Sequence, residues 1–362
     1  MEIGLLGRRQ SGKTTVFNAL TGSKIPVAAF SSGKPEPHII VVNIPDERLE
    51  QLAKLYKPKR VIHAQIRFLD LPGIEKPSIE HKQSLPDEQI TILGTSDALL
   101  IVIRNFIDSS GIEPTPENDL NLIQMELIFS DLVKVEKRLA AIEKTLLKVS
   151  GTEREHIEIE LNTLKKIKPF LDSSKFIANA NLTSDEEKSI RGFQFLTLKP
   201  ILFLLSSDEG NFDEGEKLVN SLKTKLFSPK SMIENILGLI EMEISALDPE
   251  SQIEFLKDYH ITEPASKRII RLCYNLLKDI TFFTINPNEV HAWTIPANTP
   301  AIKAAGAVHS DFEKGFIRAE VIPWDKLVQI GSYSEAKKLA LVRTEGKNYI
   351  VQDGDVVLIL FN

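Results

Sequence analysis

"GRRQSGKTT", residues 7–15, decides how this chain is read. Gly7-Arg8-Arg9-Gln10-Ser11-Gly12-Lys13-Thr14 fits the phosphate-loop pattern G-x-x-x-x-G-K-[ST]. It stands where that pattern must stand, after a strand-length apolar run, "EIGLLG", and at the opening of a helical stretch, "GKTTVFNALTG". The glycines let the backbone wrap closely enough for its N–H groups to surround phosphate oxygens, and the helix start adds the positive end of its dipole. Lys13 would then reach the β and γ oxygens, and the Thr14 hydroxyl would ligate a Mg²⁺ that touches the same oxygens. The ligand implied is ATP or GTP with Mg²⁺.

Outward from the loop, short apolar runs alternate with polar helical stretches: "HIIVVNIP", "AQIRFLDLPG" and "SDALLIVIRNF" follow before residue 110. That alternation predicts an α/β fold with a parallel sheet. Asp70 closes the run "IRFLD" and Gly73 follows; beside a phosphate loop such an Asp can hold Mg²⁺ and such a Gly can offer its N–H to a γ-phosphate. The period then changes. Ile128, Leu132, Val135, Leu139, Ile142, Leu146 and Val149 form a heptad seam, broken at "VSGTERE". A second stripe, Ile157, Leu161, Leu164 and Leu171, is interrupted by Lys168. Two seamed helices and a Gly-containing turn predict an antiparallel coiled-coil hairpin. The sheet pattern resumes at "LTLKPILFLLSSDEG" and "SPKSMIENILGLIEM", so the hairpin is an insertion. Short strands and turns from about residue 281, ending in "DGDVVLILF", predict a small mixed β domain. The expected parts are 1–112, 113–195, 196–280 and 281–362.

Composition is that of an ordinary soluble protein, 42% hydrophobic and 26% charged, and no run approaches the roughly 18 apolar residues of a membrane span. The apolar run beginning at residue 2 leaves no space for a cleavable signal segment, so a cytoplasmic protein is expected. One cysteine, Cys273, excludes an intramolecular disulfide and reads as a buried structural thiol. A net charge of −6 argues against a general cationic coat for nucleic acid; no DNA and no membrane partner is expected.

Beyond these local readings, the chain resembles the YchF, or Obg-like ATPase, family of P-loop NTPases over nearly its whole length. The resemblance is carried by "PDERLEQLAKLYKPKR", "LTLKP", "EVHAWTIP" and above all "HSDFEKGFIRAEVI". It implies a G domain interrupted by a helical arm, a C-terminal TGS domain of the ubiquitin-like β-grasp type, preference for ATP over GTP, and association with ribosomes. The family loop reads Asn-Val-Gly-Lys-Ser-Thr around its lysine; here it is Gln10-Ser11-Gly12-Lys13-Thr14-Thr15, which keeps a hydroxyl for Mg²⁺.

Other departures bear on chemistry. Where the family's first switch segment has a Thr for the Mg²⁺ shell, this chain has Lys34, which offers a metal no acceptor and is read as solvated. The family's glycine-rich second switch becomes "IEKPSIEHKQSLPDEQ", with Pro77 and Pro86 added. Neither the family nor this chain offers the water-orienting glutamine of Ras-like enzymes, and His81 reads as a solvated surface residue rather than its replacement. The base-reading Asn-x-x-Glu aligns with Ser206-Ser207-Asp208-Glu209, so weak base selectivity is expected, with Glu209 leaning toward ATP. The opposing loop aligns near Gly238 and Leu239. No catalytic side chain stands out. Slow hydrolysis is the leading reading; a GTPase and a non-hydrolysing nucleotide-dependent binding protein stay open. A ribosome or RNA–protein assembly is the expected partner of a monomer, met through the arm and through Lys314, Arg318, Arg343 and Lys347 beside Phe316, Trp324 and Tyr349.

Overall fold

The computed structural model describes residues 1–23, 38–74, 85–259 and 261–362. In chain order they form β1 (Glu2–Gly7), α1 (Lys13–Thr21), β2 (His38–Asn43), α2 (Glu47–Tyr56), β3 (Arg60–Ile62), β4 (Gln65–Asp70), α3 (Asp87–Thr95) and β5 (Ala98–Asn105). There follow α4 (Pro116–Leu146), α5 (Gly151–Asp172), α6 (Ser184–Ile190), β6 (Ile201–Ser207), α7 (Phe212–Lys223), β7 (Ser231–Ile236), α8 (Gly238–Ser245), α9 (Pro249–Asp258) and α10 (Ala265–Leu277). The last stretch holds β8 (Asp279–Ile285), β9 (Glu289–Pro296), α11 (Ala301–Val308), α12 (Ser310–Lys314), β10 (Phe316–Pro323), α13 (Trp324–Ile330), α14 (Tyr333–Lys338), β11 (Arg343–Glu345) and β12 (Asp355–Phe361). These elements fall into two compact units, one of Glu2–Ile40 and Arg67–Ile269, the other of Met1, Val41–Ile66 and Ile270–Asn362.

The larger unit is built on a six-stranded sheet of order β2-β4-β1-β5-β6-β7. Its β1, β4, β5, β6 and β7 run parallel, with Leu5 opposite Asp70, Gly7 opposite Val102, and Asn105 opposite Ser207. A strand covered on both faces must be apolar at every position, and β5 and β6 are: nearly all their residues are buried. The edge strand β2 instead alternates half-buried with exposed residues. Parallel strands send their carboxyl ends to one side, so the loop after β1 and Asp70 at the end of β4 emerge together.

The 31-residue α4 and the 22-residue α5 form a hairpin. Its antiparallel sense is fixed by cross-pairs: the Arg138 guanidinium donates to Glu160 at 2.5 and 3.0 Å, and Lys168 Nζ lies 3.2 Å from Glu136. Val135 and Ile142 of the first seam are fully buried, with Leu164, Ile167 and Leu171. The second stripe is therefore unbroken, because Ile167 fills the place assigned to Lys168, which turns outward to Glu136 and Asp172. At the root, the buried Asp131 carboxylate accepts from the N–H groups of Leu196 (3.0 Å) and Thr197 (2.7 Å) and from the Thr197 hydroxyl (2.8 Å). Burial pushes this carboxyl up, and those donors oppose the shift.

The smaller unit holds a sheet of order β11-β10-β12-β8-β9-β3. β8 and β9 are an antiparallel hairpin, β10 pairs antiparallel with β12, and β12 runs parallel to β8 at Val356 and Phe283. The sheet packs on α11 around Phe282, Ile295, Ala301, Ala304, Val321 and Val357. Residues 41–66, which the sequence pattern keeps within 1–112, belong to this unit: β3 pairs with β9, and α2 buries Leu49 and Leu52. Asp46 caps α2 by accepting from the Arg48 N–H at 3.0 Å; the Arg48 guanidinium reaches Asp353 at 2.7 Å and lies over the Phe283 ring. Cys273 is buried and its thiol is pushed up to about 12 by burial alone. Phe316 and Tyr349 are half-buried against the core, and Arg343 sits over the Tyr349 ring. Among the described residues no helix is long and apolar enough to cross a membrane.

Candidate nucleotide site

Between β1 and α1 the chain makes two left-handed residues, Gln10 (φ 62°) and Gly12 (φ 83°), and Gly12 is the N-cap of α1. No acidic residue lies in the first turn of that helix, so its partial positive charge is uncompensated by side chains there. A Cβ on Gly12 would stand 3.1 Å from Ser206 Oγ and 3.2 Å from the Phe106 ring. Both its backbone angle and its neighbours therefore demand glycine. Gln10 has a Cβ and still adopts the strained region; such outliers gather where a ligand is held.

Lys13 and Asp70 meet in an ion pair whose side chains are 6% and 0% exposed. Burial pulls the Lys13 ammonium down and pushes the Asp70 carboxyl up from their ordinary values, and in each case the partner's charge opposes the shift. One carboxylate oxygen, Asp70 Oδ2, is buried with no hydrogen-bond partner among the described residues, and the same holds for Ser11 Oγ. Thr14 is buried, Thr15 half-buried, and Gln10 exposed. Gly73 follows β4, and a Cβ there would crowd the Arg9 backbone at 3.2 Å, so phosphate loop and Asp-x-x-Gly turn touch. Ile74 completes that junction by donating its N–H to the Gly7 carbonyl at 2.8 Å.

The sheet thus brings Gly7, Gln10, Ser11, Gly12, Lys13, Thr14, Asp70 and Gly73 to one edge. The expected base readers separate. Ser206 is buried, with its Oγ walled between Gly12 and Gly238, whose own Cβ would lie 2.8 Å from it; Glu209 is exposed. Lys34, Pro77 and His81 lie outside the described residues, while Pro86 caps α3.

Three features escaped the sequence reading. Phe106 covers Gly12. Arg8, in the loop, forms an ion pair with Asp119 in the first turn of α4. Asn105 donates to Ser207 Oγ at 2.8 Å, which donates to Asn235 Oδ1 at 2.7 Å, a buried polar chain across the ends of β5, β6 and β7. The one signal for the first and third was "RNF" at the end of an apolar run; a partner for Arg8 111 positions away left none.

Comparison with known proteins decides the family. A "Ribosome-binding ATPase YchF" of Pasteurella multocida is 36% identical over 99% of this chain and 98% of its own length. The chain belongs to the YchF family. A YchF of Bacillus subtilis carrying the same description is 32% identical over 99% of this chain and 98% of its own. The solved "Structure of the Schizosaccharomyces pombe YchF GTPase" superposes with a TM-score of 0.83 at 27% identity, covering 99% of this chain and 97% of that one. Residues 2–171 match the model described as "50S ribosome-binding GTPase", and residues 280–362 match YchF-GTPase_C, described as a protein of unknown function (DUF933). The larger unit therefore has the α/β P-loop GTPase fold, and the YchF C-terminal domain lies in the smaller one. Two of these YchF relatives are described as ATPases and a third as a GTPase.

Proposed function

We propose that this YchF protein binds a nucleoside triphosphate with Mg²⁺ and hydrolyses it slowly, with ATP favoured and GTP accepted, as a cytoplasmic monomer working on ribosomes. The observation that carries the proposal is the buried Lys13–Asp70 pair beside the phosphate loop, with Asp70 Oδ2 left without a hydrogen-bond partner among the described residues. A buried carboxylate oxygen without a donor is costly, and a hydrated cation satisfies it. Thr14 and Asp70 fit Mg²⁺, which takes one or two protein oxygens and fills the rest of its octahedron with water and phosphate. The metal, when bound, neutralises charge on the β and γ oxygens.

The chain's own groups do the rest. Backbone N–H groups at the start of α1, from Gly12 to Thr15, cradle the phosphates, Lys13 moves its charge from Asp70 to the β and γ oxygens, and the Gly73 N–H holds the γ-phosphate. Glu209, exposed at the end of β6, reads the base, and Ser206 shapes the floor beside it. Without a side-chain base, turnover rests on positioning and electrostatics and is slow.

As functional parts we take the G domain (1–112 and 196–280), a coiled-coil arm (113–195) and a TGS domain (281–362). The strand order β9-β8-β12-β10, with its parallel centre, supports the β-grasp reading of the last. The charged outer faces of the arm support contact with ribosomal RNA or protein, as the relatives' description suggests.

Phosphate release from ATP and from GTP, with and without ribosomes and against Lys13→Ala, tests the enzyme reading. Release no faster than in that variant would reduce the protein to a nucleotide-dependent binder. Labelled analogues of the two nucleotides should bind within about tenfold of each other, far short of the ~10⁴-fold discrimination of a hydrogen-bonded base site; a strong GTP preference would make it a GTPase.

A further inference from the structure

We propose that Arg9 is a catalytic residue that reaches the γ-phosphate from within the phosphate loop, an arginine supplied in cis. The inference rests on the phosphate-site reading above and adds to it a group that neither the loop pattern nor the base-reading alignment assigns.

The geometry is local and specific. A Cβ on Gly73 would lie 3.2 Å from Arg9 N, 3.3 Å from its Cα and 3.4 Å from its Cγ, so the stem of Arg9 runs directly over Gly73. Arg9 donates its N–H to the Ile74 carbonyl at 3.3 Å, and Ile74 returns a bond to Gly7. Loop and turn are joined at the very place where, on that reading, the Gly73 N–H would face a γ-phosphate. The two neighbouring arginines differ in setting: Arg8 is turned to Asp119 at the root of the arm, and Arg9 lies at the surface with its stem over Gly73. The residue after Gly73 is Ile74, buried in the apolar core, so no side chain there orients water.

During hydrolysis the water oxygen bonds to the γ-phosphorus while the bond from that phosphorus to the β–γ bridging oxygen breaks, leaving its electron pair on the diphosphate. The water's proton passes to the departing phosphate. Negative charge builds on the γ oxygens and the bridge, and a planar guanidinium with five donors suits that distribution better than a point charge.

The test uses the full chain with Arg9→Ala and Arg9→Lys, reading both phosphate release and binding of ADP and a non-hydrolysable ATP analogue. Arg9→Ala should slow release by about 10³-fold, the lower end of what an arginine at the γ-phosphate contributes. Its affinity for the analogue should fall about tenfold while that for ADP moves less than about twofold, as loss of one charge-assisted bond to the γ-phosphate requires. Arg9→Lys should fall between on both measures. An unchanged analogue-to-ADP ratio overturns the contact, and release that stays level or rises overturns the catalytic role. If the unmodified protein releases no more phosphate than Lys13→Ala, the hydrolytic reading and the catalytic role of Arg9 fall together, while the affinity ratio still decides whether Arg9 meets the γ-phosphate.

Discussion

Lys13 and Asp70 hold each other's charge in a place almost closed to water, and this makes each a liability without the other. Lys13→Met should leave the Asp70 carboxylate buried and uncompensated, lowering stability without nucleotide by about 3–5 kcal/mol. Adding Asp70→Asn should recover about 1–3 kcal/mol of it, the coupling of a close pair. Urea unfolding of the two single variants and the double variant checks this. Additive effects would mean that the pair is not coupled, and with it would go the idea that Lys13 exchanges a carboxylate for phosphate.

At this scale the sequence was most legible where residues act through backbone geometry close in the chain. Gly12, Lys13 and Thr14 sit at one loop-to-helix junction whose spacing encodes its shape. Arg8 was not legible, because nothing local in a sequence announces a carboxylate on a helix more than a hundred residues away. Nor was Ser206: aligned with a base reader, it is walled in by two glycines, Gly12 and Gly238.

Among the elements, α4 does two things that its heptads do not express. Its outer half makes the seam with α5, and its inner half is a strut of the larger unit, sharing one apolar core with β5 and β6. The joint between these roles is Asp131, whose carboxylate satisfies two backbone N–H groups of a tight turn at Leu196 and Thr197. Asp131→Ala should strand both donors and lower stability by about 2–5 kcal/mol. A denaturation midpoint unmoved by that change would show that the turn finds other acceptors. The heptad seam was readable because a repeat of 3.5 needs no tertiary information. The displacement of one apolar residue from 168 to 167 was not, since the drift of a real helix against that repeat is settled by its partner.

At the scale of the whole molecule, the two-unit division cuts across the linear order of motifs. The strand alternation of residues 1–112 reads as one continuous α/β pattern, yet 41–66 pack with the C-terminal residues. A three-residue strand such as β3 carries too little pattern to declare which sheet it joins. Residues 280–362 produced alone should therefore unfold at lower denaturant than the same residues linked to 41–66, because β9 would lose its neighbour and Leu49 and Leu52 would no longer cover the sheet. Equal midpoints would assign 41–66 a merely peripheral place.

The chain crosses from one unit to the other at residues 1/2, 40/41, 66/67 and 269/270. A single break in the backbone can therefore never deal out two whole units. A protease nicking the chain at 269/270 would leave an N-terminal piece still carrying α2 and β3, bound through them to the piece that was cut away. Such nicked protein would travel as one species until denatured. In genetic terms, the smaller unit is not a cassette that recombination can append at one end: whatever acquires its C-terminal residues without 41–66 acquires a sheet with one edge missing.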